Sequence, residues 1–209
     1  CLTYSAYEVK IMHQRIPAKR IAELQNDDKI FLDLSFQSEE RWNDTQRRKY
    51  VKSLLSNSCP TPIVLADVQS CMKYCEDTYG VDSADYLYFK EKDDTGYQYI
   101  SIDGNNRSRT IGRFVRNEFG LSPTEHKISG IEQPAYRNWK PTNSTRTYSA
   151  LPDFIKTHFD SNVCVIVYKV TEASLTDLCE LFININDGVT LNPQEKRNAI
   201  VCCLLYTSP

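Results

Sequence analysis

The sequence predicts an α+β domain built on one mixed β-sheet flanked by helices. Three observations carry that expectation. Val163 to Val170 is a nearly continuous apolar run, the composition of a strand covered on both faces and placed at the sheet centre. Asn43, with Gln46 three residues on, forms a capping-box pattern that opens a helix whose apolar stripe is Tyr50, Val51, Leu54 and Leu55. Tyr97 to Ile102 has strand composition and runs through Asp103-Gly104-Asn105-Asn106-Arg107 into a helical stretch ending near Phe119.

The remaining elements follow in chain order. A short helix is expected over Ala18 to Leu24, then a strand over Lys29 to Phe36 with Ile30, Leu32 and Leu34 alternating. Pro60 and Pro62 end the Asn43 helix, because the residue before a proline avoids helical geometry, and Ile63 to Val68 reads as a buried strand. A long polar excursion leads to Tyr86–Glu91, which pairs in expectation with Tyr97–Ile102 as a β-hairpin around Lys92-Asp93-Asp94-Thr95-Gly96. Residues 120 to 150, with Pro123, Pro134 and Pro141, show no clean period; Tyr136 and Trp139 suit a loop pinned to the core, or bases stacking beside Arg137 and Lys140. Leu151 to Phe159 is expected to be helical, and Thr171 to cap a helix carrying Leu175, Leu178, Cys179 and Phe182. Gly188 suits a left-handed stop, and a last helix is expected to start near Asn192-Pro193.

Composition narrows the function classes. At 209 residues the chain suits one domain, here assigned to residues 1 to 201 and expected to continue beyond Val201. Cys203 to Pro209 resembles a translated sequencing-adapter end and is set aside from fold reasoning. No apolar run is long enough for a membrane span and no secretory leader is visible, so a cytoplasmic setting is expected. Eight cysteines are scattered; Cys71 and Cys75 are the one close interior pair, and isolated His13, His126 and His158 do not complete a zinc pattern, which favours free thiols. A net charge of −2 argues against a general nucleic-acid-coating protein, but the charge is uneven. Asp67 to Gly96 holds eight acids against three lysines, whereas Arg41, Arg47, Arg48, Lys49 and Lys52 cluster on the first clear helix, as a solvated face or a local DNA contact.

The Asp103–Arg107 turn carries the most chemistry. A strand feeding a tight turn and a helix start aims backbone N–H groups at one spot, Gly104 lets the backbone approach a ligand, and the helix dipole favours an anion there, most simply a phosphate. Helical spacing puts Arg107 on the stripe of Ile111, Phe114 and Val115, and Arg109, Arg113 and Arg116 on the solvated side. An arginine at a buried edge needs an anion or a carboxylate, and its fork grips phosphate in bidentate fashion. Asp103 can hold Mg²⁺ or brace the turn. The alternative is a structural Asp103–Arg107 pair that closes a β-α turn.

Three ordered blocks extend the picture. Ile102-Asp103-Gly104-Asn105-Asn106-Arg107 resembles the Asp-Gly-Gln-Gln-Arg signature of the GmrSD-type restriction endonuclease N-terminal domain, a relative of the ParB and sulfiredoxin fold. Upstream, Phe36-Gln37, Trp42-Asn43-Asp44-x-Gln46, Val51-x-x-Leu54-Leu55 and Pro60-Thr61-Pro62-Ile63 are similar to that family's Phe-Gln-Arg, Trp-helix and Pro-x-Pro-Ile elements. Downstream, Leu181 to Gly188 and Leu191 to Ala199 are similar to its Phe-x-x-Ile-Asn-x-Gly and Leu-Asn-x-x-Glu-x-Arg-Asn-Ala block. The chain departs from the pattern at Ser38, where an arginine is usual, and at Asn105 and Asn106, where glutamines are usual; no cysteine stands in the loop where sulfiredoxin has its catalytic one.

The resemblance implies a ParB/sulfiredoxin-like fold and a nucleotide-binding, NTPase-type domain of a modification-dependent restriction or anti-phage system. It assigns the nucleotide's phosphates to Gly104, Asn105, Asn106 and Arg107 with Gln37 and Asn186, a Mg²⁺ ion to Asp103, and water activation to Asp103 or Glu195. DNA and a nuclease domain or subunit are the implied partners. A non-enzymatic ParB-like DNA-binding or regulatory module is the rival reading. Asn186 as a helix-end cap and Glu195 as a partner of Arg197 are the structural alternatives for those two residues.

Overall fold

The computed structural model describes residues 9–32, 42–59, 61–121 and 146–186. Among the described residues, seven α-helices and a mixed five-stranded sheet make the expected α+β fold. The sheet strands are β1 (Lys10–Pro17), β2 (Ile30–Phe31), β3 (Ile63–Asp67), β4 (Tyr99–Asp103) and, after the short β5 (Gly120–Leu121) and β6 (Arg146–Thr147), β7 (Cys164–Glu172). Their order is β1-β7-β3-β4-β2. β7 lies antiparallel to β1 and parallel to β3, whereas β4 lies antiparallel to β3 and parallel to β2. The apolar run 163–170 therefore forms an inner strand, and β3 holds the centre.

Strand alternation sends successive side chains to opposite faces, and β3 shows it residue by residue. Ile63 and Leu65 face a core with α1 (Ala18–Asn26), α2 (Asp44–Leu55), α5 (Asn105–Val115) and α6 (Asp153–Asn162). Val64 and Ala66 face a second core with α3 (Val68–Tyr79), α4 (Ala84–Thr95) and α7 (Leu175–Asn186). The sheet thus separates two helical layers. In the first, Phe114 meets Phe119, Tyr148 and Phe159 with ring centroids 5.6–5.7 Å apart, the tilted and edge-on contacts aromatic quadrupoles favour.

The local signals at α2 hold in detail. Asn43 Oδ1 accepts from the Gln46 amide and Gln46 Oε1 accepts from the Asn43 amide, each at 3.0 Å. Tyr50, Val51, Leu54 and Leu55 are buried as the stripe requires.

Four expectations are corrected. The hairpin arm Tyr86–Glu91 is part of helix α4, because Ser83 Oγ caps the Tyr86 amide and Gly96, at φ 93°, closes the last turn in the left-handed region. Lys92 anchors that helix, its ammonium 4.3 Å from the Phe31 ring centre and 5.0 Å from that of Tyr88. The polar excursion before it is α3, capped by Asp67, whose carboxylate accepts from the Ser70 amide, so Val68 belongs to a helix and not to the strand. Thr171 lies inside β7, and Ser174 caps α7 instead: its Oγ accepts from the Asp177 amide while Asp177 Oδ2 accepts from the Ser174 amide. The signature helix stops at Val115, followed by Asn117 at φ 64°. The sequence reading also missed β1, an edge strand with Ile11 and Met12 exposed and no apolar alternation.

Candidate functional site

Strand β4 ends at Asp103, and Gly104 turns the chain into α5 with φ 89° and ψ 19°. Only glycine adopts that left-handed geometry without a Cβ penalty. Space is tight as well, since a Cβ there would sit 3.1 Å from Ile63 Cα, Ile63 Cγ1 and Arg107 Nε, and its neighbours would have to give by a few tenths of an ångström. Gly104 stands at the N-cap and has no side chain to cap with; its carbonyl accepts from the Ser108 amide at 2.9 Å to start the helix. Asn105, Asn106 and Arg107 form the first turn at the positive end of the helix dipole. The helix is held from outside the turn by Gln25 of α1, whose Nε2 donates to Ser108 Oγ at 2.9 Å.

Arg107 folds back over the turn, and its Nη2 donates to Asp103 Oδ2 at 2.5 Å. This is the pair the structural alternative anticipated. It does not exhaust the polar groups of the turn. Arg107 Nε, Asn105 Nδ2 and the Tyr50 hydroxyl of α2 are all buried and have no hydrogen-bond partner among the described residues. Leaving one such group unpaired costs on the order of 1–3 kcal/mol, so several gathered around one turn need a reason. Two of them can only donate, which suits an acceptor such as a phosphate oxygen.

Tyr50 was read from the sequence only as a core position. Burial pushes its hydroxyl well above the usual phenol range, with the Cys59 thiol adding to that and the Arg107 charge pulling the other way. The hydroxyl is thus neutral, a donor, and within the electrostatic reach of Arg107. The clue in the sequence is that Tyr50 alone on its stripe has a polar atom to satisfy. The Trp42 ring meets it edge-on, with centroids 5.4 Å apart, which fixes its direction.

The other assigned residues are placed differently. Asn186 closes the last turn of α7, donating from Nδ2 to the Phe182 carbonyl at 2.8 Å, and among the described residues no hydrogen bond joins it to the Gly104 turn. Gln37 and Glu195 lie outside the described residues, as do Ser38, Arg41, Gly188 and the Asn192-Pro193 helix start. A groove along β1 and β7, lined by His13, Arg15, Cys59, Ile166 and Tyr168 among others, does not include the turn.

Among the described residues no group of three or more His, Cys, Asp or Glu side chains comes together as a metal cage. A Mg²⁺ ion needs none, since one carboxylate with waters and phosphate oxygens is its usual protein site, and Asp103 offers a partly exposed carboxylate. Cys71 and Cys75 have another role: their thiols donate to the Val170 and Ala173 carbonyls at 3.8 and 3.6 Å, and burial raises both above the usual thiol range. Among the described residues no helix is long and apolar enough to cross a membrane.

No curated protein and no solved structure matches the chain. A family model does, over residues 21–202, and its span takes in the Trp42 helix, the Ile63 strand and the Asp103–Arg107 turn. The chain therefore belongs to the family described as the GmrSD restriction endonuclease, N-terminal domain.

Proposed function

We propose that this domain is the nucleotide-binding part of a DNA restriction system, with the Gly104–Arg107 turn as its phosphate cradle. The supporting observation is the set of buried donors at Asn105 Nδ2 and Arg107 Nε, without a hydrogen-bond partner among the described residues and gathered where the α5 dipole is positive. A nucleoside triphosphate with Mg²⁺ would exchange one ion pair for two: the cation meets Asp103, and the phosphate meets Arg107. Both new pairs are charge-assisted and the guanidinium can grip in bidentate fashion. Bound Mg²⁺ would neutralise phosphate charge and polarise its oxygens. Hydrolysis additionally needs a carboxylate to orient water, a role that falls to Asp103 or Glu195. The family's printed description names the N-terminal domain of a restriction endonuclease, which supports assigning DNA cleavage to a separate nuclease domain or subunit.

Calorimetric titration of the chain with each of the four common ribonucleoside triphosphates in Mg²⁺ tests the reading. One or more is expected to saturate the chain at one site, and Arg107→Ala is expected to abolish the heat while circular dichroism stays that of the parent. No saturable heat from any triphosphate, or unchanged affinity in Arg107→Ala, would leave Asp103–Arg107 as a structural pair and favour the non-enzymatic ParB-like module.

A further inference from the structure

Asn105 is pinned on both sides by one residue, Ser108. The Ser108 amide donates to the Gly104 carbonyl at 2.9 Å, and the Ser108 hydroxyl donates to the Asn105 carbonyl at 3.2 Å. Each of those carbonyls belongs to a rigid peptide plane, one on either side of the Asn105 Cα. Fixing both planes fixes the backbone angles of Asn105, and with them the direction in which its side chain leaves the first turn of α5.

The hydroxyl is in turn directed by Gln25 of α1. Gln25 Nε2 donates to Ser108 Oγ at 2.9 Å, so the oxygen accepts from α1 and its own hydrogen is left for the Asn105 carbonyl. The amide reaches because the two helices approach closely: a Cβ at Gly112 would sit 3.0 Å from both Gln25 Cβ and Asn26 Oδ1. Packing alone does not call for this pair. Ser108 is fully buried, where alanine is the better helix former and brings no polar atom to satisfy. A second tie between the same helices, from Arg116 Nη1 to Asn26 Oδ1, stands just past the far end of α5 and has no member in the turn.

We propose that Gln25 and Ser108 are positioning residues of the phosphate cradle, a relay that starts on α1, passes through the Ser108 hydroxyl and aims the Asn105 side-chain amide at the phosphate. This role rests on the reading of the Gly104–Arg107 turn as that cradle. A donor held in place before the ligand arrives loses little rotamer freedom on binding, and the gain is largest where the acceptor is charged. Asn105 Nδ2 is such a donor, buried and without a hydrogen-bond partner among the described residues. Gln25 and Ser108 do not themselves touch the phosphate; both act through Asn105.

Calorimetric titration with inorganic tripolyphosphate and Mg²⁺, a probe that engages the cradle without a base, tests the relay. Gln25→Leu, Ser108→Ala and the control Asn26→Ala are each measured in the parent chain and alongside Asn105→Ala, with thermal melting to report the folding of every variant. Ser108→Ala is expected to weaken binding about tenfold, the lower end for a hydrogen bond to a charged group, and Gln25→Leu about threefold, because the hydroxyl stays but is no longer directed. Alongside Asn105→Ala both losses are expected to shrink below about twofold, since residues that act through one side chain do not add. Asn26→Ala removes a tie between the same two helices and is expected to stay within about twofold of the parent. Parent-like affinity in Ser108→Ala and Gln25→Leu would overturn the relay and leave the cradle standing. Equal losses from Asn26→Ala, or losses that persist in full alongside Asn105→Ala, would reduce the pair to a structural tie and overturn it as well. A parent chain that does not bind tripolyphosphate would overturn the cradle itself, and the relay with it.

Discussion

Gly104→Ala puts the geometry of the turn to a quantitative test, with Gly96→Ala as its matched control. Both glycines occupy the left-handed region, at φ 89°, ψ 19° and φ 93°, ψ 11°. Backbone strain alone should cost each alanine about 1–2 kcal/mol. Their surroundings differ. A Cβ at Gly96 meets only the flexible Lys29 ammonium at 3.5 Å, which can swing aside, whereas one at Gly104 meets Ile63 Cα at 3.1 Å, a backbone atom of the central strand. Overpacking there adds about 1–3 kcal/mol, for a total of about 2–5 kcal/mol. A domain of this size loses roughly 2–4 °C of Tm per kcal/mol, so Gly104→Ala should lower Tm by on the order of 10 °C and Gly96→Ala by about half of that or less. Urea and thermal unfolding followed by circular dichroism measure both. Equal losses in the two variants would show that Gly104 is needed for its backbone angle alone, and the close approach of the turn to β3 would be wrong.

Two further outcomes follow from the buried polar groups. Tyr50→Phe removes a hydroxyl that is buried without a hydrogen-bond partner among the described residues, so stability should hold or rise by up to about 1 kcal/mol while triphosphate affinity falls; a loss of stability above that size would mean the hydroxyl has a partner in the fold. Burial first, then the Asp85 and Asp177 charges, push the Cys75 thiol from its ordinary 9.0 up to about 12. An acid raised in the fold releases its proton first when unfolded, so its contribution is complete below pH 9 and is lost as pH rises from about 9 to 12. The urea midpoint should fall over that range and fall less in Cys75→Ala; parallel slopes would refute the burial argument.

Where a signal was local, the sequence displayed it. Asn43 and Gln46 cap α2 through their own side chains, and the Asp103–Arg107 turn joins a strand to a helix because Gly104 permits it; neither depends on distant residues. Helix α4 misled because Tyr86, Leu87, Tyr88 and Phe89 favour a strand by composition, while Ser83 and Gly96, which settle the matter, stand at its two ends. Only Phe89 and Lys92 of that helix are buried, which leaves little helical period to read. β1 was invisible for a related reason: an edge strand with four exposed residues in a row gains its form from pairing with β7, a partner far along the chain. The same holds for Tyr50, whose unpaired hydroxyl exists only because α2 packs against α5.

The central claim is that a triphosphate sits against the first turn of α5. Hydrogen–deuterium exchange of the chain with and without Mg²⁺ and the triphosphate that binds, read at the amides of Asn105, Asn106 and Arg107, measures that directly. The account predicts markedly slower exchange at those amides on binding. Binding without any change there, or with protection only along the groove between β1 and β7, would contradict it.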